Sequence, residues 1–198
     1  MLHKHATDIM EQSVGANEDP IVRGLAASNC IGVAEVLMSK REWQQAEAQF
    51  RLALVQQEEA MGSEHPDTLR ANRLLAQVLK RQRKWDEAEA IYRRLLPAYA
   101  NAYGQGSKNY ATGLLHLAVL LSKKGGCAES ARLAEQALEI YDRTLGEAHA
   151  TTLQTLVFLK RVARKAGDRE AWLRWRNLLK ERGGTPADVN TAAAVALP

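Results

Sequence analysis

PDTLRANRLLAQVLKRQRKWDEAEAIYRRLLPAYANAY, residues 66–103, contains two amphipathic helical patterns joined by a short charged turn. Apolar residues recur at helical spacing in each half: Leu74, Leu75, Val78 and Leu79, then Trp85, Ala88, Ile91, Tyr92 and Leu95. Pro66 and Asp67 suit a first helical turn, because proline needs no amide partner there and aspartate complements the helix dipole. The turn lies around Lys84, and Pro97 should kink the second helix or end it early. The stretch predicts a pair of antiparallel helices.

The same pattern recurs along the chain with a period of 42 residues. Equivalent residues form ungapped columns: Gly62, Gly104 and Gly146; Trp43, Trp85 and Cys127; Leu37, Leu79 and Leu121; Ala34, Ala76 and Ala118; Ala46, Ala88 and Ser130. A fixed period of this length is typical of solenoids. The last two columns hold small residues, which let the two helices of a pair approach closely. The sequence therefore predicts an all-α fold of stacked helix pairs.

Composition narrows the class of protein. With 198 residues, 46% hydrophobic and 25% charged, the chain is expected to form one folded domain. Two cysteines are too few for a disulfide framework, which favours a reducing compartment. Residues 1–20 hold no apolar stretch of signal-peptide length, and no run of 18 apolar residues occurs elsewhere. We therefore expect a cytoplasmic protein without membrane insertion. The net charge of +4 is too small to indicate a kind of partner.

The pattern resembles the tetratricopeptide repeat (TPR), whose consensus has a small residue in each helix, an aromatic residue near the turn and another in the second helix. Here those positions hold Ala76, Trp85, Ala88 and Tyr92, and one period earlier Ala34, Trp43, Ala46 and Phe50. The usual repeat has ~34 residues. The longer period and the junction Gly-x-x-His-Pro-Asp-Thr at residues 62–68 resemble kinesin light chain and similar bacterial adaptors. The resemblance covers about residues 21–182 and implies a right-handed α-solenoid of antiparallel helix pairs, a TPR-like superhelix.

The repeat register also predicts the organisation of the chain. A TPR-like domain spans residues 20–182 as about four helix pairs: 21–61, 62–103, 104–145 and 146–182. In the fourth pair both small positions change, to Lys160 and Trp172, which marks a C-terminal cap. Residues 1–19 are expected to form an N-terminal arm or capping helix. Residues 183–198 are expected to form a disordered tail.

No catalytic or metal-binding motif emerges. The sequence has no Gly-x-Ser-x-Gly, no Walker loop and no His-Glu-x-x-His. Cys30 lies in an inward column without a base nearby, so we assign it a structural role. His65 and His149 stand at repeat junctions, where caps or packing are expected, and His3 with His5 is too little for a metal site. We therefore expect no enzyme activity, no metal and no cofactor.

Charge is distributed unequally between the two kinds of helix. Residues 69–84, the first helix of the second repeat, include six basic residues and no acid, whereas the second helices carry most of the acids. In TPR superhelices the first helices line the concave surface, so the resemblance implies a basic groove and an acidic back. The candidate peptide-binding residues on the free faces of first helices are Arg70, Arg73, Gln77, Lys80, Arg81, Leu115, His116, Val119, Lys123, Arg161, Arg164 and Lys165.

Apolar side chains flanked by cations suit an acidic segment with one or two hydrophobic anchors, since arginine can hold a carboxylate through two hydrogen bonds. The leading hypothesis is a non-catalytic adaptor or scaffold that binds such a segment of another protein. Two alternatives stay open: a structural subunit that contacts a larger complex through its ends, and a nucleic-acid-binding repeat. Nucleic acid is less favoured, because the aromatic residues lie in packing columns and not where bases would stack. The sequence does not indicate the partner's identity or the oligomeric state.

Overall fold

The computed structural model of the chain describes residues 19–183. These residues form eight α-helices and no strand: α1 Pro20–Ser39, α2 Trp43–Met61, α3 Pro66–Arg81, α4 Trp85–Tyr103, α5 Lys108–Lys124, α6 Cys127–Thr144, α7 Ala150–Ala166 and α8 Arg169–Glu181. The predicted all-α class is therefore confirmed. Residues 1–18 and 184–198, which hold nearly all of the predicted arm and tail, lie outside the described residues.

The described residues divide into two compact units, the first ending at Val78 and the second beginning at Leu79. In the first unit α1 and α2 pack along each other and are joined by residues 40–42. Such a short connection places consecutive helices antiparallel. The buried face of α1 consists of Ala27, Cys30, Ile31, Ala34 and Leu37. Burial raises the pKa of the Cys30 thiol, as suits a packing residue and not a nucleophile.

The second unit contains the end of α3 and the helices α4 to α8. Within it α4 packs on α5, α5 on α6, α6 on α7, and α7 on α8. A helix between two neighbours loses most of its free surface. This is clearest for α5, whose buried residues are Ala111, Gly113, Leu114, Leu115, His116, Leu117, Ala118, Leu120 and Leu121.

Each turn between the two helices of a pair uses one left-handed residue. Gly125 and Gly167 have φ of 99° and 75°, the left-handed conformation in which glycine commonly ends a helix. Arg41 and Arg83 hold the same place with φ of 63°. In all four turns the amide of the following residue donates to a carbonyl five residues earlier, at 2.9–3.0 Å. The backbone turn is therefore the same whether or not the residue is glycine.

The junctions between pairs share a second set of hydrogen bonds. Buried Thr152 donates its hydroxyl to the carbonyl of Gly146 at 2.9 Å, and Nδ1 of His149 accepts from the amide of Thr151 at 3.1 Å. The same bonds recur two repeats earlier: Thr68 to Gly62 at 2.9 Å, and the amide of Asp67 to His65 at 3.3 Å. The threonine fixes the junction loop to the next helix, while the histidine caps that helix.

Pro97 does not end its helix, because α4 continues to Tyr103. Proline removes one amide and crowds the carbonyl four residues earlier. Here both Pro97 and Arg93, the residue four positions before it, are exposed. Water can therefore satisfy the freed carbonyl, so the expectation of an early helix end is wrong.

Among the described helices, α1 is the one long and apolar enough to cross a membrane by length and composition. Core helices of folded domains and signal sequences meet the same criterion. Both charged residues of α1 form salt bridges within the unit, Arg23 with Glu59 at 2.7 Å and Glu35 with Arg70 at 2.5 Å. Its apolar character is thus combined with contacts typical of one helix in a packed pair.

Candidate functional site

Basic residues collect at the C-terminal ends of the first helices, where cations interact favourably with the helix dipole. They are Lys80 and Arg81 in α3, Lys123 and Lys124 in α5, and Arg164 and Lys165 in α7. Nζ of Lys165 donates to the carbonyl of Ser122, the residue before Lys123. The basic ends of α5 and α7 therefore lie next to each other in the second unit.

The pKa of Lys80 reflects both its burial and the positive charges around it. Its pKa is lowered to about 8, first because burial disfavours the charged ammonium, and then because Arg81 and Lys123 lie close by. Neither Lys80 nor Lys123 forms a salt bridge with any residue between 19 and 183. An anion bound beside them would lower the electrostatic cost of keeping Lys80 protonated.

The free side of α7 extends the basic surface. The guanidinium of Arg161 lies 5.3 Å from the centre of the Phe158 ring, which fixes an exposed arginine over a buried aromatic residue. Arg164 is exposed one turn further on, and Val157 is half-buried one turn before. The arrangement places an apolar side chain, Val157, on the same side of α7 as Arg161 and Arg164.

Two predicted contact residues of α5 are not available at the surface. Leu115 and His116 are each only 2% exposed, and the His116 ring packs on Tyr92 of α4 with ring centroids 5.5 Å apart. Both were expected on a free helix face. That expectation is wrong for these side chains, because α5 is covered by α4 on one side and by α6 on the other.

The remaining face of α5 is narrow. Thr112 is half-buried and bonds to the hydroxyl of Tyr141 at 3.0 Å. Burial raises the pKa of Tyr141, although the bond to Thr112 acts in the opposite direction. Val119 is half-buried and Lys123 is exposed. Of the four predicted residues of this helix, Val119 and Lys123 remain accessible.

The predicted residues in the first unit have separate environments. Arg70 is exposed but is held by Glu35, so its charge is balanced within the unit. Arg73 is half-buried and forms no salt bridge with a described residue. Gln77 is buried, and its Nε2 has no hydrogen-bond partner among the described residues. Sequence reasoning missed the pairing of Arg70 with Glu35, which lies 35 positions earlier.

Opposite charges 35–40 positions apart recur as ion pairs in the second unit, between the second helices or from the end of α5 to α4. The pairs are Arg93 with Glu129 (3.0 Å), Lys124 with Asp86 and Glu89 (both 2.6 Å), Arg174 with Glu135 (2.8 Å), and Arg182 with Asp142 (2.7 Å). The pKa of Glu89 is lowered, chiefly by hydrogen bonds from Lys124 and Arg93. These cations are neutralised in the fold, unlike Lys80 and Lys123.

The comparisons with known proteins agree with this architecture. Models of the tetratricopeptide repeat match residues 25–101 and residues 111–151. The chain belongs to the tetratricopeptide repeat family. The TPR repeats here are of the kinesin-light-chain-like type, and their fold is the α-solenoid of antiparallel helix pairs.

Two solved TPR structures show the likeness. BtubC (BKLC) from P. vanneervenii has a TM-score of 0.75 and 21% identity, over 93% of this chain and 70% of that chain. A kinesin-light-chain-like structure of nearly identical TPR-like repeats from Podosopora anserina has a TM-score of 0.73 and 17% identity, over 91% of this chain and 83% of that chain. At these identities the likeness is one of fold. A search of curated proteins gave no match.

TPR proteins generally bind other proteins and act as non-catalytic scaffolds. The described residues contain no group of three or more His, Cys, Asp or Glu side chains that could hold a metal ion. In this chain, positive charge is concentrated at the C-terminal ends of α3, α5 and α7.

Proposed function

We propose that this protein is an adaptor that binds an acidic, partly apolar segment of another protein through the basic ends of its first helices. The observation that carries the proposal is the proximity of Lys80, Arg81 and Lys123: the pKa of Lys80 is lowered to about 8, first by burial and then by the two neighbouring charges. Lys80 and Lys123 form no salt bridge with a described residue, so a carboxylate bound beside them would relieve the repulsion between the cations.

The proposed contact surface is smaller than the set predicted from sequence. In the second unit it consists of Lys80, Arg81, Val119, Lys123, Val157, Arg161, Arg164 and Lys165. The half-buried valines, Val119 and Val157, supply places for apolar anchors. Arg73 is a further candidate from the first unit. Leu115 and His116 are left out because they are buried.

The proposal includes a non-catalytic role in a reducing compartment, the cytoplasm. Cys30 is a buried, free cysteine, and Cys127 is free and half-buried. Free thiols in these positions are compatible with a reducing environment. No metal or cofactor forms part of the proposed mechanism, which is recognition by charge and shape.

Binding of defined peptides tests the proposal. Short fluorescent Glu-rich peptides with no, one or two leucines are titrated with the full chain, and their anisotropy is followed. The test variant combines Lys123→Glu, Arg161→Glu and Arg164→Glu. The control combines Arg132→Glu, Arg169→Glu and Lys180→Glu, three exposed cations of second helices that form no salt bridge with a described residue. Both variants change the net charge equally.

We expect the test variant to bind the leucine-containing acidic peptide at least about tenfold more weakly, while the control retains most of the affinity. Circular dichroism verifies that both variants keep their helical content. Equal weakening by both variants would mean that net charge alone governs binding. Tight, steeply salt-dependent binding of a single-stranded oligonucleotide instead of the peptides would favour nucleic-acid recognition.

A lysate pull-down with the same two variants identifies the partner and separates the remaining alternative. A partner captured by wild type and control but lost by the test variant supports the proposed surface. A partner captured equally by all three proteins would indicate a structural subunit that is held elsewhere, for example through its ends.

A further inference from the structure

The first described helix, α1, exposes an apolar face. Ile21, Leu25 and Val36 are 70%, 63% and 54% exposed, and Val22 and Val33 lie on the same side of the helix. Between Arg23 and Glu35 the helix has no charged residue. Large apolar side chains that are exposed together on one helix face are a sign of an interaction surface.

The repeat register identifies which face this is. Positions equivalent to Val36 are Val78, Leu120 and Val162, which are 0%, 0% and 1% exposed. Positions equivalent to Val33 are Leu75, Leu117 and Leu159, which are all buried. In α5 this face packs against the preceding second helix, α4: Gly113 lies against Tyr99, and His116 packs on Tyr92. The face of α1 is therefore built to receive a helix.

The sequence one period upstream does not carry the matching apolar column. In the second helices the inward positions include Phe50, Ala53 and Leu54, or Tyr92, Leu95 and Leu96. Forty-two residues before the first set stand Asp8, Glu11 and Gln12. A helix with acidic and amide side chains at those positions would not bury the valines of α1 in repeat register.

The face is complementary to a second copy of itself. Ile21, Leu25, Gly32 and Val36 are placed symmetrically about the bond between Ser28 and Asn29. In an antiparallel pair, Ile21 meets Val36 of the second copy and Leu25 meets Gly32. A Cβ at residue 32 would have no atom within 4 Å, so Gly32 leaves an open notch for the leucine. A symmetric contact of this kind closes as a dimer.

We propose that two copies of this chain associate through α1, packed antiparallel, in addition to any binding at the basic surface. One helix on each side makes a contact smaller than a standard interface of about 1,600 Å². The dimer therefore dissociates on dilution, and its formation is measured across a range of protein concentrations.

Sedimentation velocity of the full-length protein tests the association. The test variant is Leu25→Glu, which places a charge at the centre of the face. The matched control is Val55→Glu on α2: Val55 is also exposed, and its equivalents one and two repeats on are the exposed Pro97 and Glu139. Wild type and Val55→Glu are expected to dimerise alike, and Leu25→Glu at least about tenfold more weakly.

A cross-linking experiment tests the antiparallel geometry. In a Cys127→Ser background, Ser28→Cys brings two thiols together at the symmetry axis. Ser39→Cys lies at the end of the same face, so its two copies would be about 30 Å apart at 1.5 Å rise per residue. A short bismaleimide should join Ser28→Cys copies and leave Ser39→Cys copies unjoined. Equal joining of both would indicate parallel packing and overturn the proposed arrangement.

Three results would overturn the dimer itself. They are a wild-type protein that stays monomeric at all concentrations, a Leu25→Glu variant that dimerises as well as wild type, and a monomer that floats with phosphatidylcholine vesicles through α1. The last result would assign the apolar face to a lipid surface. Helical content measured for each variant excludes unfolding as the reason for a lost dimer.

Discussion

Gly113 of α5 lies directly against the ring of Tyr99 in α4: a Cβ on residue 113 would stand 2.9 Å from Cδ2 of the tyrosine. Tyr99 is itself buried, so its ring has little room to move. The residues equivalent to Gly113 are Asn29, Ala71 and Thr155. The glycine is therefore explained by the close approach of the Tyr99 ring at this one position and not by the repeat in general.

Gly113→Ala should destabilise the protein by about 1 kcal/mol, although alanine in a helix is otherwise favoured by a similar amount. The clash with Tyr99 outweighs the gain in helix propensity. The control is Gly24→Ala in α1, where a Cβ meets nothing within 4 Å and the substitution should stabilise by up to about 1 kcal/mol. Urea unfolding measures both. Equal stabilisation by the two substitutions would contradict the close approach.

Lys80→Gln should raise the free energy of unfolding at pH 7. There the lysine is protonated in both states, and the folded state bears the cost of its burial near Arg81 and Lys123. The pKa falls from 10.5 in the unfolded chain to about 8 in the fold, so the folded state loses its proton first. The free energy of unfolding of the wild type therefore rises relative to that of the variant from about pH 8, and the two become equal near pH 10.5. Chemical unfolding of both proteins across this pH range measures the two free energies. A difference between them that does not change with pH would contradict the lowered pKa of Lys80.

Thr152→Val should cost about 1 kcal/mol, because valine keeps the shape but removes one of the two hydrogen bonds that the Gly146 carbonyl accepts, the other coming from the amide of His149 at 3.2 Å. The control is Thr144→Val, which removes a hydroxyl bond to the Ile140 carbonyl at an exposed position. That change should stay within about 0.5 kcal/mol. Thermal and urea unfolding compare the pair. A similar small effect at both sites would show that the junction bond contributes little.

Arg182→Lys should lower stability by about 1 kcal/mol. Arg182 donates two hydrogen bonds to Asp142, at 2.7 and 3.0 Å, and both side chains are largely shielded from water. Lysine cannot reproduce the two parallel bonds. At the exposed pair of Arg174 and Glu135, the same substitution should change stability by less than about 0.5 kcal/mol. Urea unfolding at low and high salt measures the effects of both substitutions. Equal effects would show that water and salt screen the Arg182–Asp142 pair as strongly as the Arg174–Glu135 pair.

The helices were predictable because their signals are local. Helical periodicity, Pro66 at a first turn and left-handed turns at Gly125 and Gly167 each depend on a few neighbouring residues. Because each signal recurs at the same position of successive 42-residue periods, the repeats support one another's assignment. Arg41 and Arg83 fill the glycine position of the turn, and alignment of the columns located them although arginine alone would not.

The surface was harder to predict, because exposure depends on which helices cover a given face. Leu115 and His116 share a face with Val119 in a helical projection, yet α4 and α6 bury the first two. Salt bridges pose the same difficulty. In the sequence nothing near Arg70 indicates an ion pair. In the fold its guanidinium lies 2.5 Å from the carboxylate of Glu35, which is on another helix. Such pairings depend on the angle between helices, which periodicity does not specify.

The four identical turns, each closed by a backbone bond at 2.9–3.0 Å, have a consequence for how a gene of this kind can change. Any duplicated or deleted segment of 42 residues preserves the columns, wherever its ends fall within the period. Unequal recombination can therefore lengthen or shorten the array without breaking a helix. Point mutation changes one surface patch at a time, whereas recombination adds or removes whole repeats. The number of repeats can therefore evolve independently of the residues on their surfaces.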